Sequence, residues 1–387
     1  MALAILELRK FVAPEFVFGA GALELAGQYA ENFGARKVMI VTDPGILNAG
    51  WLQPVVNSLE KYFLPYVVFK NVHENPRDTD VMAGARIFQE EGCNLLLAVG
   101  GGSSIDCAKG IGIVSSNHRP IGDFEGVDQV CNAMPPLVCI PTTAGSSADV
   151  SQFAIIIDSF RKTKMAIVSK TLVPDVALID PMTLVTMPPY LTACTGMDAL
   201  CHAIEAYVST ASSPITDLHA LKAVELLTHY LPLVLRYPEN LEYRSQTMMG
   251  SLSAGMAFSN AILGAVHALA HSLGGRFDLP HGECNAILLR HVMAYNFPAC
   301  RQRYEKIGES MGLTLAGMTA AEREVLILSA MDSFREKLGI SHTLKDIGVG
   351  EQDIPALAQS ACQDPCLATN PRAATVQEIE EIYRNAL

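Results

Sequence analysis

The chain between residues 94 and 106 has the sequence Asn94-Leu95-Leu96-Leu97-Ala98-Val99-Gly100-Gly101-Gly102-Ser103-Ser104-Ile105-Asp106. Its continuous apolar run predicts a strand that is buried on both faces, as in a parallel sheet. The glycines predict a tight turn, and a helix is predicted to begin directly after them. Such a turn suits a bound pyrophosphate, because the first N–H groups of a helix are free and carry partial positive charge. Glycine turns are also common without a ligand, so this stretch alone leaves both interpretations open.

Strand and helix signals alternate on both sides of this stretch. The predicted strands cover residues 37–42, 65–69, 137–140, 154–158, 164–168 and 176–180, and the predicted helices among them cover 47–62 and 78–91. Segments 154–158 and 164–168 are predicted to pair as a hairpin. This order of elements predicts an open, mostly parallel α/β sheet.

Strand signals almost disappear after Pro188-Pro189. The helices predicted beyond this point cover residues 191–208, 213–235, 242–259, 261–273, 301–311, 320–338, 351–362 and 375–385. A chain of 387 residues is longer than one hydrophobic core usually serves, so two domains are expected. The predicted division is an α/β domain at residues 1–185 and an all-α domain at residues 186–387.

The amino-acid composition and net charge indicate what class of protein this is and which partners are disfavoured. Half of the residues are hydrophobic and 18% are charged, which is typical of a packed globular protein. The net charge of −12, without a long Lys or Arg run, disfavours nucleic-acid and anionic-membrane partners. The first ten residues carry their charges after a short apolar stretch, the reverse of a secretory signal, and no apolar run is long enough for a membrane span.

The ten cysteines include no CxxC pair, and most of them lie in apolar stretches. This pattern favours buried, reduced thiols in a cytoplasmic protein. Cys362 and Cys366, which are four residues apart, leave a weak metal or redox pair as the alternative.

Two more polar loops follow predicted strands. Asp43 follows the strand at 37–42, where a carboxylate can accept a hydrogen bond from a ribose 2′-hydroxyl and so favour NAD over NADP. An equally open interpretation is an Asx-turn that starts Asp43-Pro44-Gly45. The segment 141–147 supplies hydroxyls and small residues after the strand at 137–140. Because the carboxyl ends of parallel strands meet at one edge of a sheet, the three loops together predict a nucleotide crevice.

Acidic and imidazole side chains cluster in the helical half. Asp198 and His202 are four apart, which puts both on one face of a helix, and His267 and His271 repeat that spacing shortly before His281. Such ligands suit Fe²⁺ or Zn²⁺. A single histidine on an apolar helix is more often a hydrogen-bonded core residue, but burying several imidazoles and a carboxylate without a partner is unfavourable. The spacing therefore predicts a metal site and leaves open which of the clustered histidines are ligands.

With these motifs the sequence resembles the iron-containing (group III) alcohol dehydrogenase family over essentially the whole chain. The matching segments are residues 18–21, 100–106, 141–145, 174–175, 196–209, 267–281 and 370–372. The resemblance implies the fold that this family shares with dehydroquinate synthase. In that fold an N-terminal α/β nucleotide-binding domain with an open, mostly parallel sheet precedes an all-α metal-binding domain, and the site lies between them.

The resemblance also implies the ligand set. By motif, Asp198, His202, His267 and His281 would bind a divalent metal, with Fe²⁺ favoured over Zn²⁺. His271 corresponds to a further histidine near the metal and the nicotinamide that is not a standard ligand.

NAD is the implied cofactor, with the glycine loop at its pyrophosphate and Asp43 as the residue that disfavours NADP. The expected NAD contacts are Asp43, Gly100, Gly101, Gly102, Ser103, Asp106, Thr142, Thr143, Ser146 and Lys164. After Gly145 the chain departs from the family pattern Thr-Gly-Ser-Glu-x-Thr, since it continues Ser146-Ser147-Ala148-Asp149-Val150-Ser151. Asp149 is one methylene shorter than Glu, which is expected to reshape contacts at this turn.

The reaction implied is hydride transfer between NAD and a small primary alcohol or diol, whose oxygen is bound by the metal as a Lewis acid. His271 is the candidate catalytic residue, as a proton relay or a gate of the pocket. The alternatives are a zinc glycerol or polyol dehydrogenase, a dehydroquinate-synthase-like lyase and a non-enzymatic metal-binding protein. We expect a homo-oligomer, such as a dimer, without nucleic-acid or membrane partners.

Overall fold

The computed structural model of the protein describes residues 10–387. The sequence that argues against a secretory signal therefore lies, apart from Lys10, outside the described residues. The strands in this range are β1 (Glu15–Phe18), β2 (Val38–Val41), β3 (Tyr66–Phe69), β4 (Leu95–Gly100), β5 (Gly126–Val127), β6 (Leu137–Pro141), β7 (Phe153–Asp158), β8 (Thr163–Val168) and β9 (Val176–Ile179). The α-helices are α1 (Ala26–Asn32), α2 (Pro44–Ala49), α3 (Leu52–Lys61), α4 (Asp78–Glu90), α5 (Gly102–Asn117), α6 (Pro189–Val208), α7 (Pro214–Arg236), α8 (Leu241–Ala261), α9 (Ala265–Phe277), α10 (His281–Ser310), α11 (Ala320–Lys337), α12 (Ile354–Ala361) and α13 (Val376–Ala386).

Six of the strands form one parallel sheet in the order β1-β9-β6-β4-β2-β3. Strands β2, β4 and β6 are buried along their whole length, which explains their continuous apolar sequences. The chain leaves β2 toward one edge of the sheet and leaves β4 toward the other. The carboxyl ends of β2 and β4 therefore flank a topological switch point, where open α/β sheets bind their ligands. The predicted α/β sheet is confirmed.

The predicted hairpin is present, but it belongs to a second sheet. Strands β7 and β8 pair antiparallel, and β5 joins β8 to complete three strands. Lys109 of α5 anchors this sheet, since its buried Nζ donates to the carbonyls of Ser151 at 2.8 Å and Phe153 at 2.7 Å. The hairpin is thereby held against the helix that follows the glycine turn.

Several elements differ from the sequence-based predictions, and α1 and β5 have no predicted counterpart. The helix predicted at 47–62 is two helices, because Gly50 adopts a φ of +83° and ends α2. Strand β1 was missed because it is a short edge strand with partly exposed side chains and no clear alternation. Helix α10 begins at His281 rather than at residue 301, and it departs from helical geometry at Cys300, two residues after Pro298.

The helical half buries some of its helices on all sides. Every residue of α6 from Met197 to Val208 is buried, and so is every residue of α9 from Ala265 to Gly274. Polar side chains on these helices therefore lie in the interior, where each must find a partner. Within the described range, no single helix is long and apolar enough to cross a membrane, although α8 and α9 pass that test as a pair bent by 99°, by length and composition only.

Candidate active site

One cavity of about 860 Å³ lies at the carboxyl ends of β2, β4 and β6 and extends to α6, α9 and the start of α10. It is lined by predicted site residues from both halves of the chain, namely Asp43, Gly101, Gly102, Ser103, Asp106, Thr142, Thr143, Ser146, Lys164, Asp198, His202, His267, His271 and His281. Gly100 is not among the lining residues. Its carbonyl accepts a hydrogen bond from the Thr142 N–H at 3.0 Å, at the edge of the sheet.

The N-terminus of α5 opens into this cavity. Gly101 is the N-cap residue, and no side chain of the described residues caps the helix. A Cβ on Gly102 would lie 2.6 Å from Ser146 Oγ, and a Cβ on Gly101 would lie 3.1 Å from Thr143 Cγ2, so a side chain at either position would displace the facing loop's side chains. Uncapped N–H groups beside threonine and serine hydroxyls form a cradle that fits a pyrophosphate.

Asp43 fulfils the turn-forming alternative and still lines the cavity. Its Oδ1 accepts hydrogen bonds from the N–H groups of Gly45 at 2.9 Å and Ile46 at 3.2 Å, which makes it the N-cap of α2. Its Oδ2 accepts from Ser104 Oγ at 2.9 Å, across the turn after β4. The carboxylate is thus held rigidly at the cavity wall, and its contact with a ribose remains a prediction.

Two carboxylates lie near Lys109, namely Asp106 at the cavity wall and the buried Asp149. Asp106 Oδ2 accepts a hydrogen bond from the Ile155 N–H at 3.1 Å. Burial raises the pKa of Asp106 to about 6, against the opposing effect of the Lys109 ammonium. Burial likewise raises the pKa of Asp149 to about 6, although its own backbone N–H and Lys109 both favour the ionised form. The shorter acid at position 149 therefore sits in the interior beside Lys109.

Donor atoms of Asp198, His267 and His281 lie close together in the helical half, and His202 lies beside this group of three without completing it. Asp198 Oδ1 lies 3.6 Å from Nε2 of His267, 3.6 Å from Nε2 of His281 and 3.8 Å from Nε2 of His202. Tetrahedral ligands at about 2.1 Å from an ion are about 3.4 Å apart, so the distances from Asp198 to His267 and His281 fit a divalent metal after a small contraction. His202 would have to move closer to this group of three to act as a fourth ligand. The His202 ring is fixed by stacking on Phe258, with the two ring centroids 4.2 Å apart.

The ionisation of these groups also suits a cation. Burial lowers the pKa of His202 to about 3 and lowers that of His281 well below 6.5, which leaves neutral imidazoles. Burial opposes a charge on His267 as well, but the hydrogen bonds that its ring donates to Asp198 and Glu205 outweigh burial and raise the pKa of His267 to about 9. Burial would raise the pKa of Asp198, yet the surrounding imidazoles hold that pKa well below its ordinary value. An ion that binds here meets an ionised carboxylate and displaces a proton from His267.

Glu205 was missed in the sequence, although it follows His202 by three residues on the same helix. Its Oε2 lies 2.6 Å from His267 Nδ1, and its two oxygens also accept from the N–H groups of Gly264 at 3.1 Å and Val266 at 2.6 Å. His267 therefore directs Nδ1 to Glu205 and Nε2 to Asp198. Carboxylate–histidine–metal chains of this kind fix the orientation of the ring.

Asn285, four residues after His281, was also missed. It is fully buried, and its Nδ2 donates to Asp198 Oδ1 at 2.7 Å. Its spacing from His281 on α10 was a usable signal, but the helix itself was not predicted to begin at His281.

His271 lies beside the proposed ligands and belongs to a different group of donor atoms. Its ring stacks on His281, with the ring centroids 5.3 Å apart, and its Nδ1 lies 2.8 Å from Asp364 Oδ2. Burial opposes ionisation of Asp364, but His271 outweighs it and lowers the pKa of Asp364 to about 2. Cys366 completes a second group of close donor atoms with His271 and Asp364, whereas Cys362 is not part of that group.

Comparison with known proteins gives a consistent result over the whole chain. A family model described as iron-containing alcohol dehydrogenase matches residues 13–181, and one described as the C-terminal part of the Fe-containing alcohol dehydrogenase family matches residues 192–387. The chain is 39% identical to the NAD-dependent methanol dehydrogenase of Bacillus methanolicus, over 97% of this chain and 99% of that protein. It is 38% identical to the 1,3-propanediol dehydrogenase of Citrobacter freundii, over 95% of this chain and 96% of that protein. The crystal structure of a 1,3-propanediol oxidoreductase superposes with a TM-score of 0.96 at 37% identity, over 98% of this chain and 100% of that one.

Proposed function

Because the chain belongs to the iron-containing alcohol dehydrogenase family, we propose that it interconverts a small primary alcohol or diol and its aldehyde, with NAD and a divalent metal. The observation on which this proposal rests is that three clustered metal-donor atoms, with His202 beside them, line the same cavity as an uncapped glycine-rich helix N-terminus. A hydride acceptor and a Lewis acid need to meet at the same substrate carbon and oxygen, and one shared cavity allows this.

Asp198, His202, His267 and His281 would hold the ion, with Fe²⁺ favoured over Zn²⁺. The metal would supply Lewis acidity at the alcohol oxygen, and NAD would accept the hydride. The protein's part is to bring the donor atoms together. Burial keeps His202 neutral, and the Glu205 carboxylate orients the His267 ring so that its Nε2 faces Asp198. Phe258 and Leu263, which line the same cavity, keep this part of it apolar.

The nucleotide would lie along the carboxyl edge of the main sheet. We assign the pyrophosphate to the N-terminus of α5 and the ribose to Asp43, with Thr142, Thr143 and Ser146 on the facing loop. Lys164 would reach the cofactor from β8, where Gly274 leaves room for it: a Cβ on Gly274 would lie 3.1 Å from Lys164 Nζ. Burial lowers the pKa of Lys164, while nearby acidic groups oppose that effect.

His271 is proposed as the proton-handling residue. With Nδ1–H donated to Asp364, its Nε2 is left as an acceptor on the other side of a ring that lines the cavity. A group in that state can take up the proton released from the alcohol and pass it outward.

The relatives do not favour the alternative enzymes. The similar proteins are named for methanol and 1,3-propanediol, an alcohol and a diol, rather than for a phosphorylated substrate. A zinc polyol dehydrogenase, a dehydroquinate-synthase-like lyase and a non-enzymatic metal-binding protein are therefore set aside.

We further propose that the chain divides near residue 185 and acts as a cytoplasmic homo-oligomer, such as a dimer, without nucleic-acid or membrane partners. The support is that the ten cysteines are unpaired, as in reducing compartments, and that the net charge is −12. Light scattering on purified protein measures the oligomeric state directly, and a monomer at micromolar concentration would contradict this proposal.

The test of the function combines metal analysis with a substrate screen. Purified protein is expected to carry about one Fe²⁺ or Zn²⁺ per chain and to form NADH with short primary alcohols and diols, whereas Asp198→Ala should lose both. Full metal content and bound NAD without NADH formation from any of these alcohols would overturn the proposal.

A further inference from the structure

The inference concerns Asn285, which lies one helical turn after His281 on the same face of α10. Its side chain is fully buried. Its Nδ2 lies 2.7 Å from Asp198 Oδ1 and 3.2 Å from Nε2 of both His267 and His281. One amide nitrogen therefore contacts three of the four donor atoms proposed to bind the metal.

We propose that Asn285 is a positioning residue of the metal site, whose amide holds the Asp198 carboxylate in place beside the histidine donors. This inference rests on the proposed function, because it assumes that Asp198, His267 and His281 are ligands. Asn285 itself is not a ligand in this arrangement, since an amide nitrogen has N–H donors and no lone pair for a cation.

The chemistry of the amide fixes its orientation. A carboxylate that binds a metal can only accept hydrogen bonds, so the atom 2.7 Å from Asp198 Oδ1 must be the nitrogen. The 3.2 Å contacts with the two imidazole nitrogens are not counted as hydrogen bonds of the metal-bound site, because the single lone pair of each Nε2 would then bind the ion. The hydrogen bond to Asp198 does not compete with a metal, because a carboxylate oxygen has more than one lone pair.

The carbonyl end of the amide shows that packing alone does not explain an asparagine at position 285. Asn285 Oδ1 is buried and has no hydrogen-bond partner among the described residues. Burying an unpaired carbonyl is unfavourable, and an apolar side chain of similar size would avoid that cost. The donor end of the amide, which faces the metal ligands, is thus what accounts for an asparagine at this position.

The same helix supplies a matched control. Asn296 is also buried, and its Nδ2 donates to Asn370 Oδ1 at 2.9 Å while its Oδ1 accepts from Asn370 Nδ2 at 2.8 Å. Asn296→Ala therefore removes a buried amide and its hydrogen bonds to Asn370, none of which involves a proposed metal ligand.

The experiment measures metal binding without turnover. Full-length protein is stripped with a chelator, Zn²⁺ is titrated against a chromophoric competitor, and Co²⁺ reports the ligand geometry through its visible absorption. Asn285→Ala and the volume-preserving Asn285→Leu should raise the Kd for Zn²⁺ by about 10–100-fold and alter the Co²⁺ spectrum, as losses of outer partners of metal ligands do. Asn296→Ala should lower the Tm and leave both metal readouts at wild-type values.

The outcomes separate this inference from the proposed function. If Asp198→Ala retains wild-type affinity for Zn²⁺, the proposed metal site itself is overturned. If Asp198→Ala loses the metal but both Asn285 variants keep wild-type affinity and spectrum, only the inference about Asn285 is overturned. Failure of both Asn285 variants to fold at saturating Zn²⁺, while Asn296→Ala folds, would also overturn it, because Asn285 would then serve the fold.

Discussion

Glu205 Oε2 lies 2.6 Å from Nδ1 of His267, and both side chains are almost completely buried. The same carboxylate accepts from the N–H groups of Gly264 and Val266 at the start of α9, so one residue orients the imidazole and stabilises the helix that carries it. A Cβ on Gly264 would lie 2.9 Å from Glu205 Oε1, so glycine is required for this approach. The position of a proposed ligand is thereby coupled to the packing of α6 against α9.

This coupling predicts that Glu205→Gln weakens metal binding by about 10–100-fold, because the amide cannot hold His267 Nδ1–H as a carboxylate does. Zn²⁺ competition titration checks the change. Asp364→Asn is the matched control, since it alters a buried carboxylate bonded to a histidine outside the proposed ligand set. Equal losses in the two variants would contradict the special role of Glu205.

The proposed ligand set predicts that His267→Ala and His281→Ala each lose metal retention and turnover together. The reason is that three remaining donors hold a divalent ion much more weakly than four. Metal content by mass spectrometry and NADH formation are measured on the same preparations. The exposed His229 provides the control His229→Ala, and wild-type turnover in either test variant would remove that histidine from the metal site.

Asp43 is expected to set the preference for NAD. Asp43→Gly and Asp43→Asn should raise the ratio of kcat/KM for NADP to that for NAD by about tenfold or more, the effect of removing roughly 1.4 kcal/mol of repulsion from a 2′-phosphate. Asn can still cap α2, and Gly costs only a few tenths of a kcal/mol at an N-cap, so both variants should fold. An unchanged ratio in both would show that Asp43 serves only as a cap.

The glycine cradle predicts a cofactor-specific defect for Gly102→Ala. The new methyl group would meet Ser146 Oγ at 2.6 Å and force the two loops apart, so the KM for NAD should rise about tenfold or more. Steady-state kinetics at varied NAD concentration measure it. Gly122→Ala is the control, since its nearest neighbouring atom is 4.0 Å away, and a similar KM in both variants would contradict the cradle.

The raised pKa of Asp149 predicts that the difference in stability between wild type and an Asp149 variant depends on pH. Burial raises its pKa from 3.8 to about 6, so the folded state binds a proton more tightly than the unfolded state. The favourable contribution of Asp149 to the free energy of unfolding is therefore present near pH 4 and is lost as the pH rises through 6. Asp149→Asn, which resembles the protonated acid, should match wild type near pH 4 and exceed it by about 3 kcal/mol above pH 7. Urea unfolding at several pH values checks this, and a less stable variant at neutral pH would show that the attraction of Lys109 outweighs burial.

Much of the nucleotide half could be predicted because its patterns are local. The apolar runs at 37–42, 94–99 and 137–140 are strands β2, β4 and β6, since a strand buried on both faces has no polar alternation. Prediction failed where the signal was weak or interrupted. Gly50 divided a predicted helix, and the edge strand β1 is too short and too exposed to show a pattern.

For the candidate site, the sequence by itself determined the fold class, the family resemblance and the residues whose chemistry is typical of a metal and a nucleotide. Only the tertiary structure decided which groups support them. Glu205 meets His267 across 62 residues, Asn285 meets Asp198 across 87, and His271 meets Asp364 across 93. Such partners depend on how buried helices pack, and helical periodicity marks the face that is buried without identifying the side chain on the opposite helix.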